Sequence, residues 1–364
     1  MTSFLIYTFV FMLMALFLPE KVRLVVRNND KTIKTRNRNI YLFASVLLML
    51  FMAGLRRHDI GNDTAAYKSF FTHMGSGYYS FDSRFEIVFR YLTIGISKLT
   101  NDYTVFLVIT SVLCFLPLAR FIKRYVSSTK IFVTIFWLFA FTTFVSPLRQ
   151  SIGLVFIFIS IDFIEKKKPL FFAICILLAM LCHASAIVAI VLYPLYYIKP
   201  KSWKVFLTIA FVIVAVGTGA IDFFANRFLS DYYSRYLSVQ SGFSAALFNV
   251  LFGIIPIFLD KYKTEDPEES SAGIYDLMRW SSVFYAGFYI ASLYSSGAGR
   301  IAYYFLPMTI AYWCKIINKK SWSYKTRILI VDVLLVILLL YRILVIIYRP
   351  EWNSFFPFRY VWES

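Results

Sequence analysis

The sequence predicts an all-α polytopic membrane protein with about 12 transmembrane helices. Of its 364 residues, 59% are hydrophobic and only 16% are charged, whereas ordinary soluble domains are about 45–50% apolar and about 25% charged. Single apolar runs such as Ile328 to Ile347 are long enough to cross a bilayer core, which takes roughly 20 residues of helix. A buried soluble core is excluded because too few polar residues remain to cover it.

The predicted transmembrane helices are the apolar segments between polar clusters, and several are shorter than a usual span. The first run, Phe4 to Leu18, lacks a preceding basic segment and a small-residue cleavage site. We therefore expect it to be retained as a helix rather than removed as a signal peptide. The predicted spans are 3–18, 40–55, 103–122, 131–146, 150–164, 170–183, 185–198, 204–222, 243–259, 279–294, 301–317 and 328–348.

Lysine and arginine cluster in five short segments between the predicted helices, and these clusters predict the topology. Cytoplasmic loops of membrane proteins are enriched in these residues, so we expect all five clusters in the cytoplasm and both termini outside. The net charge of +18 therefore indicates topology rather than nucleic-acid binding. The five basic segments are 20–39, 120–130, 166–168, 199–204 and 315–327.

The segment 85–99 is predicted to be an amphipathic helix lying on the outer surface of the membrane. Its large apolar residues fall on one helical stripe, and Glu86 and Arg90 form an i,i+4 pair on another face. If this segment crossed the membrane, every later basic cluster would face outward. We therefore predict one integral membrane domain, 1–364, with an outer loop at 56–102 and a cytoplasmic loop at 260–278. The apolar stripe consists of Phe85, Val88, Phe89, Leu92, Ile96 and Leu99.

On the predicted outer face the basic residues are mostly arginines, which suggests a ligand that carries phosphate. The planar guanidinium group binds phosphate oxygens through two parallel hydrogen bonds. Anchoring at the membrane interface is the alternative role for many of these side chains. The outer arginines are Arg56, Arg57, Arg84, Arg90, Arg149, Arg227, Arg235, Arg300, Arg349 and Arg359.

Four polar elements from distant parts of the chain are predicted to meet on the outer face. They are the segment 54–67, the break at 146–150, the segment 182–185 and the start of a late helix at 297–304. Ionisable residues at membrane depth are costly and indicate function. A purely structural role stays open for each: a solvated loop at Arg149, a hydrogen-bonded core histidine at His183, an interfacial anchor at Arg300, and helix capping by Asp63.

Motifs of other enzyme classes are missing from the sequence. It contains no glycine-rich phosphate loop, no His-Glu-x-x-His and no Gly-x-Ser-x-Gly. The turn at 59–64 lacks the spacing and the final glutamate of a calcium-binding EF-hand loop. The four cysteines sit inside apolar runs without zinc-like spacing. We therefore predict neither a metal nor a cofactor.

The polar elements stand in an order that resembles the Wzy-type polysaccharide polymerases, in particular their EpsG-like family. Asn62, where the family often has threonine, and Phe358, where tyrosine is usual, are departures that remove no reacting group. The resemblance covers most of the chain. The matching motifs are GLRRHDIGNDTAAY at 54–67, SPLRQ at 146–150, LAMLCHASA at 178–186, GRIAYYFLPM at 299–308 and NSFFPFRYVW at 353–362.

The resemblance implies a GT-C-like glycosyltransferase in the cytoplasmic membrane of a bacterium. Such enzymes join undecaprenyl-diphosphate-linked oligosaccharide repeat units into exopolysaccharide, capsule or O-antigen on the outer face of the membrane. Membrane lipids and a chain-length regulator are the expected partners. Two other functions stay open, a transporter or flippase of lipid-linked sugars and a ligase-like glycosyltransferase.

Candidate site residues follow from the outer polar elements and the resemblance. We rank His183 first as the general base, because histidine accepts a proton readily near neutral pH. Asp63 and Glu86 are the other catalytic candidates. The remaining roles are diphosphate binding by Arg149, Arg300, Arg56 and Arg57, and substrate binding by Gln150, Tyr67, Tyr303 and Tyr304.

Overall fold

Helices occupy the apolar segments of the chain, as expected for stretches in which all backbone polar groups must be paired away from water. A helix lies on each of the twelve predicted spans; residues 220–222 of the span 204–222 are outside the described residues. The structure is a computed structural model that describes residues 2–20, 22–27, 33–76, 85–219, 241–261, 272–319, 321–349 and 355–363.

The helices begin and end close to the polar clusters that separate the apolar runs. A π-helical turn, Phe136–Ala140, joins α6 to α7, and 3-10 turns at Ala184–Val191 and Tyr303–Phe305 lead into α10 and α15. The helices are α1 (Thr2–Phe17), α2 (Ile40–Gly54), α3 (Thr64–Gly75), α4 (Ile87–Ser97), α5 (Tyr103–Tyr125), α6 (Thr129–Ile135), α7 (Phe141–Val145), α8 (Leu148–Glu165), α9 (Pro169–Cys182), α10 (Leu192–Tyr197), α11 (Ser202–Gly217), α12 (Phe243–Lys261), α13 (Ala272–Ala291), α14 (Ser296–Ala302), α15 (Leu306–Ile317) and α16 (Tyr324–Tyr348).

Three helices in the described part of the chain are long and apolar enough to cross a membrane. They are α5, α16 and the stretch Phe243–Asp260 of α12, while several other apolar helices are shorter. Large apolar side chains on α16 stay about half exposed, for example Leu340, Leu344 and Ile347 at 54%, 53% and 51%. A face of this kind fits a lipid environment. The chain is therefore a helical membrane protein, and the count of twelve spans stays a prediction.

One basic segment departs from the helical pattern. Residues Val22–Arg27 (β1) and Ile33–Arg38 (β2) form an antiparallel two-stranded sheet, with Val22 opposite Arg38. The charge pattern predicted only a cytoplasmic loop at 20–39. Valine and isoleucine favour extended backbone, and the two strands contain them.

The predicted amphipathic helix is present as α4, with 11 residues. Such a helix is about 16 Å long, which is too short for a bilayer core of about 30 Å. Phe85, Phe89 and Ile96 of the predicted stripe are buried. Leu99, however, is 82% exposed, because it follows the end of the helix and no longer shares its apolar face. The stripe was therefore predicted one residue too long.

The described chain divides into two compact units, each with its own aromatic and apolar core. Helix α8 begins in the first unit and ends in the second. The proposed single domain 1–364 stays a prediction. The first unit comprises Met1–Tyr79, Thr93–Ser151 and Lys325–Ser364, and the second comprises Ser80–Leu92 and Ile152–Tyr324.

The first unit is built around the aromatic side chain of Trp137, which lies in the π-helical turn. Its ring contacts Phe4 and Phe11 of α1, and its Nε1 donates a hydrogen bond to the Thr8 hydroxyl at 3.0 Å. Helices α2 and α5 pack closely at Gly54, where an added Cβ would lie 3.1 Å from the Val108 side chain.

The second unit centres on α13, which packs against α11, α12 and α15. At the end of α12 the buried Asp260 carboxylate accepts hydrogen bonds from the hydroxyls of Tyr275 and Tyr312 and from the Lys319 ammonium group. The sequence predicted that Asp260 belongs to a cytoplasmic loop, 260–278. The structure instead places Asp260 and Lys261 in α12 and residues 272–278 in α13, and residues 262–271 lie outside the described residues.

The C-terminal segment 355–363 crosses the first unit and pairs with the polar loop after α2. Backbone hydrogen bonds join Arg57 N to Arg359 O at 2.9 Å and Val361 N to Leu55 O at 3.0 Å. Arg56 and Tyr360 form the central β-bridge of this pairing. Two motifs from opposite ends of the sequence, at 54–67 and 353–362, therefore belong to one substructure.

Candidate functional site

The polar loop 55–63 is fixed by a glycine that no other residue replaces easily. Gly61 has φ +101°, a backbone conformation that favours glycine. A Cβ added there would lie 2.8 Å from the Thr64 hydroxyl and 3.0 Å from the Ser146 hydroxyl. The loop therefore packs directly against the break between α7 and α8.

That break creates the N-terminus of α8 and places two polar side chains in its first turn. Pro147 has no N–H group, and the helix begins at Leu148. Arg149 and Gln150 follow, with only 8% and 4% of their surface exposed. A helix N-terminus favours a negative charge, so an arginine there is unfavourable unless an anion shares the site.

Arg149 forms a cluster with two residues of the neighbouring loop and helix α3. Its side chain is hydrogen-bonded to Tyr67, and the Asp63 carboxylate is close enough to act on the same phenol. Burial raises the pKa of Tyr67 above its ordinary value, Asp63 raises it further and Arg149 opposes the shift. The phenol therefore stays protonated near neutral pH. We name Asp63, Tyr67 and Arg149 the Arg149 cluster.

Asp63 stands at the N-cap position of α3 but does not cap the helix. Its backbone is in the helical region, with φ −96° and ψ −5°, and its side chain makes no capping hydrogen bond. The turn is closed instead by the Thr64 hydroxyl, which donates to Ile60 O at 2.7 Å. The capping role considered for Asp63 is therefore wrong. Its carboxylate instead acts electrostatically on the Tyr67 phenol.

Arg56 is a buried link between elements of the first unit. It is 2% exposed, and its guanidinium group donates to the backbone carbonyls of Ala53 and Val145. Burial lowers its pKa to about 10, so it keeps its charge at neutral pH. Its position joins the end of α2 to the end of α7, directly before the break that carries Arg149. Diphosphate binding by Arg56 stays a prediction.

Arg57 is directed to a neighbouring carboxylate. Its Nε and Nη2 donate to Asp59 Oδ1 and Oδ2 at 2.7 and 2.6 Å. This hydrogen bonding lowers the pKa of Asp59. The pair is partly exposed, with 19% of the Arg57 side chain and 47% of the Asp59 side chain accessible. A phosphate would have to displace Asp59 to use the same two donors.

The second unit holds a carboxylate–imidazole pair. His183 ends α9 in extended backbone, and its Nδ1 lies 3.2 Å from Glu86 Oε1. The same oxygen accepts a hydrogen bond from Ala184 N at 3.3 Å. The side chains of His183 and Glu86 are only 6% and 15% exposed. In a neutral imidazole that donates from Nδ1 to a carboxylate, Nε2 is the nitrogen that can accept a proton.

Tyr304 and Ser185 extend this arrangement by one more contact. Their hydroxyl oxygens lie 3.1 Å apart, which joins the 3-10 turn after His183 to the turn before α15. Tyr303 and Tyr304 are both buried. Arg300 lies in the last turn of α14 with its side chain exposed, a position that favours a cation.

The structure thus groups the predicted site residues unit by unit. It brings Asp63, Tyr67 and Arg149 together in the first unit, and it pairs Glu86 with His183 in the second. Gln150 lies beside Arg149 in the sequence and is buried like it. Arg56 and Arg57 contact backbone carbonyls and Asp59, respectively.

Several contributors were missed by sequence reasoning. The buried Tyr103 donates its hydroxyl hydrogen to Thr64 O at 3.1 Å and thereby supports the start of α3. Ser146 packs on Gly61. The Glu86–His183 pairing joins two distant segments of the chain. Neither the contact of Gly61 with Ser146 nor the approach of Glu86 to His183 has a signal in the local sequence.

Comparison with known families adds an independent finding. The family model described as the EpsG family matches residues 39–360. This range contains the Arg149 cluster and the Glu86–His183 pair. No curated protein and no solved structure matches the chain significantly. Since the family model matches far more than half of its length, the chain belongs to the EpsG family.

Proposed function

We propose that this protein is a polymerase that joins undecaprenyl-diphosphate-linked repeat units on the outer face of a bacterial cytoplasmic membrane. Membership of the EpsG family indicates a polysaccharide polymerase, and the apolar helices indicate a membrane protein. The substrate, the orientation and the chemistry are our proposal. The observation that carries it is the Glu86–His183 pair, because glycosyl transfer to a hydroxyl needs a proton acceptor.

The proposed step transfers the growing chain to the next repeat unit. A hydroxyl oxygen of the acceptor unit attacks the anomeric carbon of the donor chain, and a new glycosidic C–O bond forms. The C–O bond to the diphosphate breaks, and undecaprenyl diphosphate leaves with the electron pair. The hydroxyl proton passes to Nε2 of His183, while Glu86 stabilises the resulting imidazolium cation.

Arg149 is proposed to bind the departing diphosphate. Negative charge grows on the leaving group in the transition state, and a preorganised cation stabilises it. Tyr67 holds the guanidinium group by a hydrogen bond, and Asp63 supplies a nearby negative charge. The N-terminus of α8 adds the positive end of its helix dipole beside the same arginine. Arg56 acts as a positioning residue for this turn.

The remaining candidates are proposed to contact the sugars and the lipid headgroup. Arg300 and Arg57 are exposed or partly exposed cations, which suits the second phosphate or the membrane surface. Gln150, Tyr303 and Tyr304 offer amide and phenol groups for sugar hydroxyls. The product would be an exopolysaccharide, capsule or O-antigen chain, and a chain-length regulator would be a partner.

Turnover by the purified chain in detergent tests this proposal. Lipid-linked repeat units are added as the only substrate, and products are separated by size on a gel. A polymerase produces a ladder of longer chains in detergent, where no membrane separates two compartments. A flippase moves lipid across a bilayer and forms no glycosidic bond. The absence of any chain longer than one repeat unit, from protein that binds the substrate, would reject polymerisation.

A further inference from the structure

A cavity that contains two arginines lies in the first unit, beside the last helix, α16. It offers about 240 Å3 of free space including its mouth. Arg342 and Arg349 line it together with the hydroxyl-bearing Thr142 and the rings of Phe355 and Phe356. Nothing in the proposed transfer step uses these residues.

Arg342 is a deeply buried cation in this cavity. It is 3% exposed, and its Nε and Nη2 each donate to a backbone carbonyl, of Leu138 and of Phe139, at 2.8 Å. Both carbonyls belong to the π-helical turn, a geometry that often marks functional sites. Guanidinium has five N–H donors, so donors remain beyond these two bonds.

The charge of Arg342 lacks a protein counter-ion in the part of the chain that the structure describes. No carboxylate of the described residues lies within 4.0 Å of its guanidinium group. A buried charge is costly unless an opposite charge accompanies it. The site therefore calls for an anion from outside the described chain.

Thr142 provides an independent sign of a ligand. It is only 2% exposed and lines the same cavity. Across the described ranges its hydroxyl oxygen finds no hydrogen-bond partner. Buried hydroxyls are almost always hydrogen-bonded. A donor hydroxyl beside a guanidinium group suits an anion with several oxygen acceptors, as in a phosphate.

We propose that this cavity binds the terminal phosphate group of a membrane phospholipid or lipid phosphate. Arg342 and Thr142 donate to its oxygens, and the exposed Arg349 also lines the cavity. A lipid is favoured over free phosphate because the part of α16 before Arg342, which leads toward the bilayer centre, carries half-exposed apolar side chains, among them Val336 and Leu340. An acyl or prenyl chain can lie along that face. The small cavity suits an unsubstituted phosphate better than a bulky headgroup.

Native mass spectrometry of the purified full chain tests this site. The probes are dioleoyl phosphatidic acid, dioleoyl phosphatidylcholine and inorganic phosphate. We expect phosphatidic acid to be retained over phosphatidylcholine. Thr142→Val, which keeps the shape but removes the hydroxyl, should weaken retention about two- to tenfold, as for one lost hydrogen bond. Arg342→Gln should weaken it about tenfold or more.

The matched control is Arg124→Gln, which removes an exposed arginine at the end of α5 and should leave retention unchanged. Unchanged retention of phosphatidic acid by Thr142→Val would overturn the proposed binding site. If Arg342→Gln does not fold, the result for Thr142→Val is sufficient to decide. Inorganic phosphate that binds as tightly as phosphatidic acid would overturn the lipid assignment. The assay needs no glycosyl transfer, so failure of the polymerase proposal leaves its result intact.

Discussion

In the proposed mechanism, the single residues Glu86 and His183 divide the work of proton transfer. An imidazole ring without a partner accepts a proton near neutral pH, but it can rotate and present either of its nitrogens to the substrate. The contact from Nδ1 to Glu86 Oε1 fixes the ring, and Ala184 N holds the carboxylate in turn. In this mechanism the main role of Glu86 is to orient the His183 ring, and its negative charge is secondary.

The first prediction concerns this pair. His183→Gln keeps polar atoms but cannot take the proton, so chain growth should fall about 100- to 10,000-fold. Glu86→Gln should cause a smaller loss, because the amide can still orient the ring without stabilising the cation. Ladder formation by purified variants measures both. His73→Gln, at an exposed histidine on α3, is the matched control. Normal ladders from His183→Gln would remove histidine from the mechanism and leave Asp63 as the candidate base.

The second prediction concerns the bidentate geometry of Arg149. Arg149→Lys keeps the charge but loses the two-pronged hydrogen bonding, so polymer yield should drop at least about tenfold at normal protein abundance. Tyr67→Phe should lose part of the activity, because the guanidinium group loses one contact. Arg124→Lys serves as the control. Wild-type yield from Arg149→Lys would mean that charge alone suffices at this position, against diphosphate recognition.

At the scale of elements, the break between α7 and α8 organises the first unit. Arg56 donates to Val145 O before the break, Gly61 packs on Ser146 within it, and Arg149 follows it. The C-terminal segment pairs with Leu55 and Arg57 on the other side of the same loop. One loop thus contacts two distant parts of the sequence, so the short motifs at 54–67, 146–150 and 353–362 form one structural group.

The third prediction tests that loop. Gly61→Ala meets both a positive φ and close contacts, so it should destabilise the protein by about 1–3 kcal/mol. The matched control is Gly95→Ala on α4, where an added Cβ meets nothing within 4 Å and alanine favours a helix. Thermal unfolding in detergent, followed by the loss of monodisperse protein, compares the two. Equal midpoints for both variants would show that the loop does not depend on Gly61.

The positions of the helices could be predicted from apolar runs because burial in lipid leaves the backbone no other choice. Strands β1 and β2 could not be predicted in this way, because the basic residues of this segment indicated topology more strongly than its valines indicated strands. The role of Arg56 was also hidden: sequence shows an arginine after an apolar run, but only the fold shows that backbone carbonyls accept its hydrogen bonds. The Glu86–His183 contact depends on a long-range approach that local pattern does not encode.

At the scale of the whole molecule, the distribution of charge makes the topology testable. Five basic segments separate the apolar helices, and the positive-inside rule predicts that all of them face the cytoplasm. Helix α4 is too short to cross, so we expect it not to invert the later segments. The proposed chemistry needs this orientation, because both the Arg149 cluster and the Glu86–His183 pair are assigned to the outer face.

The fourth prediction follows from that orientation. In a background without the four native cysteines, which are all buried, cysteines at Asn62 and Ser296 should react with an impermeant thiol reagent applied to intact spheroplasts. A cysteine at Lys167, an exposed position in a basic segment, should react only after the membrane is permeabilised, which also confirms that the site is accessible. Labelling of Asn62→Cys and Lys167→Cys from the same outer side would mean that an additional segment crosses between them. His183 would then lie on the cytoplasmic side, and its assignment as the base on the outer face would fail. The role of the Arg149 cluster in diphosphate binding is tested separately, by Arg149→Lys and Tyr67→Phe.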